Sequence, residues 1–217
     1  LRLLQMEKTI SFATRCILAL LLMLSLQANA QNADIDLLRN VNGTRGSSTD
    51  AVMNGITQST YPLAFATPAT QLIVGYINRD KQTIQNGWQT VGSLGTAVIL
   101  GYGLKYAINR NRPYETYKDI VPYHYDTDPS FPSGHTSIAF ANATSLSLQY
   151  PKWYVIAPAY LWAGAIGYSR MQLGMHYPSD VLAGALVGAG SAFIAYKGQQ
   201  WLLKRKQKKI IGIVEWH

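Results

Sequence analysis

The chain is poor in cysteine and in acidic residues. Its only cysteine, Cys16, lies in an N-terminal stretch that has the features of a removable signal. The rest of the chain therefore has no thiol, which excludes a disulfide framework although an oxidising compartment is still allowed. There is no low-complexity segment and no internal repeat, so the residues after the signal are expected to form a single domain with its own core.

The scarcity of acidic residues leaves the chain basic, with 11 acidic against 19 basic side chains and a net charge of +8. Much of the excess comes from the N-terminal stretch, from the cationic clusters described below and from a tail between Lys204 and Lys209. That tail could contact anionic lipid head groups. No nucleic-acid-binding motif accompanies the charge, so nucleic acid is not an expected partner.

Residues 6–30 have the pattern of a secretory signal peptide. Met6 is followed by basic residues, an apolar run from Ile17 to Leu26, and the small-residue site Ala28-Asn29-Ala30. The run is short for a spanning helix, so cleavage before Gln31 is favoured over an uncleaved anchor. The predicted divisions are upstream residues and signal (1–30), an N-terminal helix and flexible loop (31–60), the main domain (61–203) and a basic tail (204–217).

Three separated clusters carry residues that suit a phosphate ligand. In the first, Lys105 and Arg112 are seven residues apart, which places them two turns apart on nearly one face of a helix. Pro113 disfavours helical geometry at the residue before it, so this helix is expected to end near Arg112. Arginine can bind two phosphate oxygens with its planar fork, and lysine adds a compact charge. A solvated helix face is the alternative interpretation of this pair alone.

The second cluster is Pro132-Ser133-Gly134-His135. Ser133 is a candidate N-cap, Gly134 lets the backbone approach an anion closely, and a helix is predicted to follow from Thr136. The free amides and the positive dipole end of that helix favour an anion, with His135 above it. An ordinary capped helix is the alternative.

The third cluster contains Ser169-Arg170, then His176 and Asp180. A carboxylate bonded to one ring nitrogen of a histidine fixes the tautomer and leaves the other nitrogen free to attack phosphorus. Pro178 is expected to begin the next helix, with Asp180 in its first turn. The alternative is that His176 and Asp180 merely cap this helix.

Taken in order, the three clusters resemble the signature of the type 2 phosphatidic acid phosphatase (PAP2) superfamily. Their motifs are Lys-x6-Arg-Pro, Pro-Ser-Gly-His and Ser-Arg-x5-His-x3-Asp. That superfamily also includes class A acid phosphatases, membrane lipid phosphatases and vanadium haloperoxidases. The match is complete at every defining position between Lys105 and Asp180. The resemblance implies an all-α helical bundle with its site at one end, extending over the domain 61–203.

The resemblance also implies a role for each matching residue. His176 would be the nucleophile that forms a phosphohistidine, Asp180 its orienting partner, and His135 the acid and later the base. No cofactor or metal is implied. The residues implied to bind the phosphate are Lys105, Arg112, Ser133, Gly134 and Arg170.

The choice between a soluble bundle and a membrane bundle depends on five apolar segments. They cover about 61–78, 86–108, 136–150, 153–168 and 181–203. A mean hydropathy near zero favours a soluble protein. Charge placement favours five transmembrane helices after signal cleavage, because threading them puts Arg79, Lys152 and the basic tail on the cytoplasmic side. The same threading places all three clusters on the periplasmic side.

The loop from Tyr114 to Phe131 is expected to shape the mouth of the site. Its His124-x-Asp126-x-Asp128 string also suggests a metal, although loop carboxylates are more often solvated.

The predicted function is hydrolysis of a lipid phosphate or diphosphate at the periplasmic face of a bacterial inner membrane, with no obligate protein partner. The substrate types that the family suggests are lipid A, undecaprenyl diphosphate and phosphatidylglycerophosphate. The nearest alternative is a soluble periplasmic acid phosphatase. A vanadium haloperoxidase and a non-catalytic lipid-binding module are more remote alternatives.

Overall fold

The computed structural model describes residues 32–214 of the chain. The predicted signal peptide and Cys16 lie outside these residues. Within the described range the regular structure is helical and contains no β-strand, which confirms the all-α prediction. The helices are α1 (32–42), α2 (Ser47–Gln58), α3 (Thr60–Ile77), α4 (Lys81–Ile108), α5 (Pro113–Thr116), α6 (Gly134–Gln149), α7 (Trp153–Gln172) and α8 (Pro178–Val214).

Local sequence explains several of these boundaries. Asp80 precedes α4, and its carboxylate accepts a hydrogen bond from the backbone amide of Gln82, as expected of an N-cap. Pro178 begins α8 as predicted, because its fixed φ suits the first helical position and its missing N–H has no partner to lose there. The five long helices α3, α4, α6, α7 and α8 correspond closely to the five predicted apolar segments.

The first cluster departs from the prediction, because Arg112 does not lie on α4. The helix ends at Ile108, where Asn109 adopts the left-handed conformation with φ of 49°. Asparagine tolerates this conformation better than most residues and so can end a helix. Arg112 is extended and precedes Pro113 at the start of α5. The helix therefore stops about one turn before the proline would have stopped it.

The N-terminal part is more regular than predicted. Helix α1 accounts for the predicted N-terminal helix, but the remainder of the range 31–60, predicted as a flexible loop, contains the whole of α2. Met53 and Ile56 of α2 pack against separate groups of buried apolar side chains. Sparse apolar residues in a polar segment concealed this amphipathic helix.

Helix α6 is central and packs against α3, α4, α7 and α8. Its contact with α8 is close enough to require glycine. A Cβ atom at Gly184 would lie 2.7 Å from the carbonyl oxygen of Ser133, and one at Gly188 would lie 2.2 Å from that of Ser137. These distances are too short for any side chain, so the start of α6 lies backbone to backbone against the second and third turns of α8.

The bundle buries many polar side chains and exposes large apolar ones. Gln89, Thr90 and Gln149 are joined by hydrogen bonds between α4 and α6, and Asn142 donates to Thr67 of α3. By contrast, Ile99, Leu161 and Leu186 are each more than 60% exposed. Such an arrangement suits a protein whose surroundings are apolar, because lipid removes the penalty for exposed apolar side chains while interior polar groups pair with one another.

Two helical stretches in the described residues are long and apolar enough to cross a membrane, Lys81–Thr116 and Pro178–Arg205. The other long helices do not reach this composition, and the predicted number of five spans stays a prediction.

Candidate active site

A cavity of about 310 Å³ opens at one end of the bundle. Successive long helices run in opposite directions, so this end collects the start of α3, the end of α4, the start of α6, the end of α7 and the approach to α8. Ser133 and Asp180 do not line the cavity and lie fully buried behind its wall. The predicted site residues that do line it are Lys105, Arg112, Gly134, His135, Arg170 and His176.

Three cations form one side of the cavity, and we refer to Lys105, Arg112 and Arg170 as the cation cradle. Each of them is no more than 5% exposed. Lys105 and Arg170 lie in the last turns of α4 and α7, and Arg112 lies between α4 and α5. Nε of Arg170 has no hydrogen-bond partner within the described residues. Buried cations with spare donors are suited to an anion with several oxygens.

The start of α6 forms the floor of the cavity. Ser133 takes the N-cap position as predicted, but its side chain makes no capping hydrogen bond to the helix backbone. Its hydroxyl accepts from Thr136 Oγ1 at 2.9 Å, and its amide donates to the carbonyl oxygen of Asp180 at 3.0 Å. Ser133 thus ties α6 to α8, and Gly134 is the residue of this pair that faces the cavity.

The two imidazoles line the same cavity. His135 packs edge to face against Tyr61 at the start of α3, with ring centroids 4.9 Å apart. His176 lies in the loop between α7 and α8 and is only 2% exposed. This shared cavity brings the second and third clusters together, as the resemblance implied.

Asp180 lies behind His176, but the two side chains are not in direct hydrogen-bonding contact. Nδ1 of His176 is 3.7 Å from Oδ2 of Asp180, beyond the usual limit for a hydrogen bond. The hydroxyl of Ser130 donates to the same carboxylate oxygen at 2.5 Å and lies 3.4 Å from Nδ1. The carboxylate therefore faces Nδ1, with Ser130 beside it, and Nε2 is left for the cavity.

Burial is the main influence on His176. Together with the charges of Arg170 and Arg112, it lowers the pKa of His176 to about 4, against the opposing effect of Asp180. The imidazole is therefore neutral at neutral pH, which is the form whose ring nitrogen can act as a nucleophile.

Two loop carboxylates occupy the cation cradle. Asp128 pairs with Lys105 at 2.8 Å and with Arg112 at 2.6 Å, and Asp126 lies 3.1 Å from Arg112 and 3.7 Å from Arg170. Burial would raise the pKa of Asp128, but its hydrogen bonds and charge interactions with Lys105 and Arg112 outweigh this and lower the pKa to about 2. The predicted loop thus reaches the site itself, where the carboxylates of its His-x-Asp-x-Asp string contact the cations of the cradle.

Several site residues were missed from the sequence. Tyr61, Ser130 and the wall residues Val98 and Tyr102 belong to no cluster with a chemical signature. Asp126 and Asp128 were noted in the loop, but no local pattern indicates which cations a carboxylate in a long loop will meet. Only Ser130, two residues before the Pro-Ser-Gly-His cluster, had a position that could have suggested it.

Taken together, the cavity can hold a group with several anionic oxygens against three cations. It presents two imidazoles to such a group, the neutral and oriented ring of His176 and the ring of His135. Attack at phosphorus requires a nucleophile on one side of the phosphoryl group and a proton donor on the leaving oxygen. The arrangement provides candidates for both.

Comparison with known proteins gives a consistent family match. Residues 86–204 match the PAP2 superfamily, and this range contains every site residue that the sequence predicted. An undecaprenyl-diphosphatase of Sulfolobus acidocaldarius is 34% identical over 132 residues, which are 59% of this chain and 60% of that protein. A lipid A 1-phosphatase of Porphyromonas gingivalis is 41% identical over 101 residues, which are 44% of this chain and 20% of that protein. The chain thus spans less than two thirds of the length of both relatives.

A solved structure is similar along most of its length. The crystal structure of the first transmembrane PAP2 type phosphatidylglycerolphosphate phosphatase from Bacillus subtilis matches with a TM-score of 0.64 and 26% identity. The match covers 79% of this chain and 87% of that chain. The similarity therefore extends over most of both chains.

Proposed function

This chain belongs to the PAP2 superfamily, and on that premise we propose that it is a phosphatase that releases phosphate from a membrane lipid through a phosphohistidine intermediate. The observation that carries the proposal is the meeting of His135, His176 and the cation cradle at one cavity. The relatives are named as phosphatases of an undecaprenyl diphosphate, a lipid A and a phosphatidylglycerophosphate.

In the first half of the reaction the cation cradle holds the nonbridging phosphate oxygens, and the amide of Gly134 adds a donor at the start of α6. Nε2 of His176 attacks phosphorus, so that a P–N bond forms while the P–O bond to the lipid breaks. His135 donates a proton to the leaving oxygen. Asp180 and Ser130 orient His176 and stabilise the positive charge that its ring acquires.

In the second half a water molecule attacks the phosphohistidine. His135 takes a proton from this water, and the P–N bond breaks with its electron pair returning to Nε2 of His176. Inorganic phosphate leaves, with His135 protonated and His176 neutral as at the start. No step needs a metal, because the cradle supplies the charge that a cation would otherwise provide.

The walls of the cavity support a lipid substrate. Ala97, Val98 and Tyr102 of α4 extend the cavity away from the cation cradle, and the neighbouring Ile99 is 72% exposed on the outer surface of the bundle. A lipid could place its phosphate among the cations while its chains lie along this apolar surface. A small soluble ester would leave that surface unused.

We further assign the site to the periplasmic side of the membrane, with α3, α4, α6, α7 and α8 as the five spans. The exposed apolar side chains on these helices support embedding. The opposite end of the bundle carries a group of basic residues, which the positive-inside rule assigns to the cytoplasm. These residues are Arg79, Lys81, Lys152, Lys204 and Arg205.

A soluble periplasmic acid phosphatase is the second candidate, favoured by the finding that only two stretches of the described chain have the composition of a span. Alkaline carbonate extraction of cell membranes separates the two candidates. Retention of the protein in the membrane pellet is expected, and release into the supernatant would overturn the embedded arrangement while leaving the chemistry in place.

The activity is tested with purified protein in detergent and an excess of chelator. We expect phosphate release from at least one of undecaprenyl diphosphate, a lipid A and phosphatidylglycerophosphate, at a rate well above that for a soluble aryl phosphate. Activity that appears only after magnesium is restored would contradict the metal-free mechanism.

The nucleophile is tested in the same assay with His176→Ala. Loss of at least about a thousand-fold in kcat is expected, because no other group can form the covalent intermediate. His217→Ala is the control, since it also removes a histidine but outside the candidate site residues. Near-normal turnover by His176→Ala would refute the assignment, as would failure of acid-labile ³²P to appear on wild-type protein during turnover.

A further inference from the structure

A second ionic contact holds Asp180 from the side opposite His176. Nη1 of Arg110 donates to Oδ1 of Asp180 at 2.6 Å, whereas Oδ2 faces His176 and Ser130. The guanidinium group also lies over the ring of Tyr177, 3.8 Å from its centroid. Arg110 does not line the cavity and is therefore separate from the cation cradle.

Arg110 is itself fixed by the N-terminal helix. Its Nη2 donates to Oδ2 of Asp34 at 2.8 Å, and the side chain of Asp34 is 8% exposed. The guanidinium group thus bridges a carboxylate of α1 and the fully buried carboxylate of Asp180. Two buried carboxylates that share one arginine depend strongly on it, because removal of the cation leaves their charges uncompensated.

Asp34 also caps the helix that carries Asp180. Its Oδ1 accepts from the backbone amide of Ser179 at 2.8 Å, and its Oδ2 accepts from the Ser179 hydroxyl. Ser179 is the second residue of α8, where backbone amides have no partner within the helix and negative charge is favourable. Asp34 therefore acts on Asp180 by two routes, through Arg110 and through the backbone of α8.

From these contacts we infer that Arg110 and Asp34 are positioning residues for the reaction: α1 sets the orientation of Asp180 and hence of the His176 imidazole. The inference rests on the proposed function. Neither residue touches the cavity, so their loss changes the chemical step more than substrate binding. Arg110 lies inside the Lys-x6-Arg-Pro cluster, but Asp34 is distant in sequence and only the fold brings it there.

Helix α1 offers a matched pair of variants. Asp34→Asn keeps the shape of the side chain and removes its charge, and Asp36→Asn makes the same change two residues later at a side chain that is 68% exposed. Asp36 pairs with Arg39 of the same helix. Both variants are compared with Arg110→Met and the conservative Arg110→Lys, using full-length protein in detergent and the best substrate of the panel described above.

We expect Asp34→Asn to lower kcat about tenfold and Arg110→Met about a hundredfold, by analogy with the range found for groups that orient metal-binding histidines, with KM changed less than about twofold in each. Arg110→Lys should recover part of the loss, and Asp36→Asn should equal the wild type. Equal losses in Asp34→Asn and Asp36→Asn, or losses seen in KM alone, would mean that α1 only supports the fold and would overturn the inference.

A readout independent of turnover separates this inference from the proposed function. In ¹⁵N-histidine-labelled protein, the ring Nδ1 of His176, which faces Asp180, gives a nitrogen resonance that is identified by its loss in His176→Gln. The resonance should shift in Asp34→Asn and Arg110→Met but not in Asp36→Asn. If these shifts occur but the wild-type protein hydrolyses no substrate, the proposed function is wrong and the positioning of Asp180 by α1 stands. If the spectra of both variants are unchanged, the positioning is overturned even in an active enzyme.

Discussion

At the scale of single residues, the contacts of Asp126 and Asp128 decide how a phosphate can enter. Both carboxylates lie on the cation cradle, where phosphate oxygens are proposed to bind. Asp128 stays ionised across any practical assay range, because the same ion pairs lower its pKa to about 2. An incoming phosphate must therefore compete with a tethered anion, and this competition weakens the binding of substrate and product alike.

The variant Asp128→Asn tests this competition. Without the charge, inorganic phosphate should bind about tenfold more tightly, equivalent to about 1.4 kcal/mol, because the cradle no longer has an internal counterion. Binding can be measured by calorimetry or as product inhibition. Asp119→Asn serves as the control, since Asp119 belongs to the same loop but pairs with Arg39. Unchanged or weaker phosphate binding in Asp128→Asn would contradict the competition.

The ionisation of His176 predicts the acid side of the pH profile. Its pKa is lowered to about 4, so the imidazole is neutral and reactive above that pH and becomes protonated and inactive below it. We expect kcat/KM to fall with a midpoint near pH 4 once the second ionisation of the substrate phosphate, about pH 6, has been determined separately and divided out. A corrected midpoint at pH 6.5 or above would show that burial does not control this histidine.

At the scale of helices, the α6–α8 contact fixes the geometry of the site. Ser133 and Asp180 lie at the starts of these two helices and are joined by a backbone hydrogen bond of 3.0 Å. Gly184 and Gly188 allow the approach that makes this bond possible. The second and third clusters are therefore held in register by residues that carry no chemistry themselves.

Two glycines of α8 provide a direct test. A Cβ at Gly188 would lie 2.2 Å from the Ser137 carbonyl oxygen, whereas one at Gly190 has no atom within 4 Å. Gly188→Ala should therefore lower the free energy of unfolding by about 1 to 3 kcal/mol, and Gly190→Ala should be neutral or raise it by up to about 1 kcal/mol. Thermal unfolding in detergent would measure both, and equal stabilities would show that the helices can separate without loss.

The sequence was a good guide to features with a local or periodic origin. The five long helices follow from their apolar segments, and the start of α8 follows from Pro178. The meeting of Lys105, His135 and His176 followed from a resemblance whose family is now confirmed by the match over residues 86–204. The catalytic roles assigned to these residues stay predictions.

Other features were beyond prediction because they depend on distant contacts. Nothing in the neighbourhood of Asp34 indicates that it binds Arg110, and nothing around Asp128 indicates that it reaches Lys105. The early end of α4 depends on the left-handed conformation of Asn109, which competes locally with the stop signal at Pro113. Carboxylates in loops and residues at helix ends thus need the assembled bundle before their partners are known.

At the scale of the whole molecule, polarity is inverted relative to a water-soluble bundle. Polar side chains such as Gln89 and Asn142 are buried, and apolar ones such as Leu161 face outward. The site occupies one end of the bundle, and the short connections at Arg79 and Lys152 lie at the other. This arrangement gives each end a definite expected side of the membrane.

Two exposed lysines test that orientation in a Cys16→Ser background. Lys118 lies in the loop at the site end, and Lys152 lies between α6 and α7. In intact spheroplasts, a membrane-impermeant maleimide should label Lys118→Cys but label Lys152→Cys only after permeabilisation, because the proposed threading puts the two residues on opposite sides. The reverse pattern would show that the topology is the opposite of the one proposed. Equal labelling of both residues in intact spheroplasts would show that no membrane separates them.

The origin of the cation cradle has a consequence for heat resistance. Its members belong to α4, to the turn after α4 and to α7, so an unfolded chain has no comparable binding place. Any oxyanion captured there favours the native state by mass action, increasingly so as its concentration exceeds its dissociation constant. The product of the proposed reaction would thereby protect its own catalyst, and a cell rich in orthophosphate would hold an enzyme that is slower but longer lived.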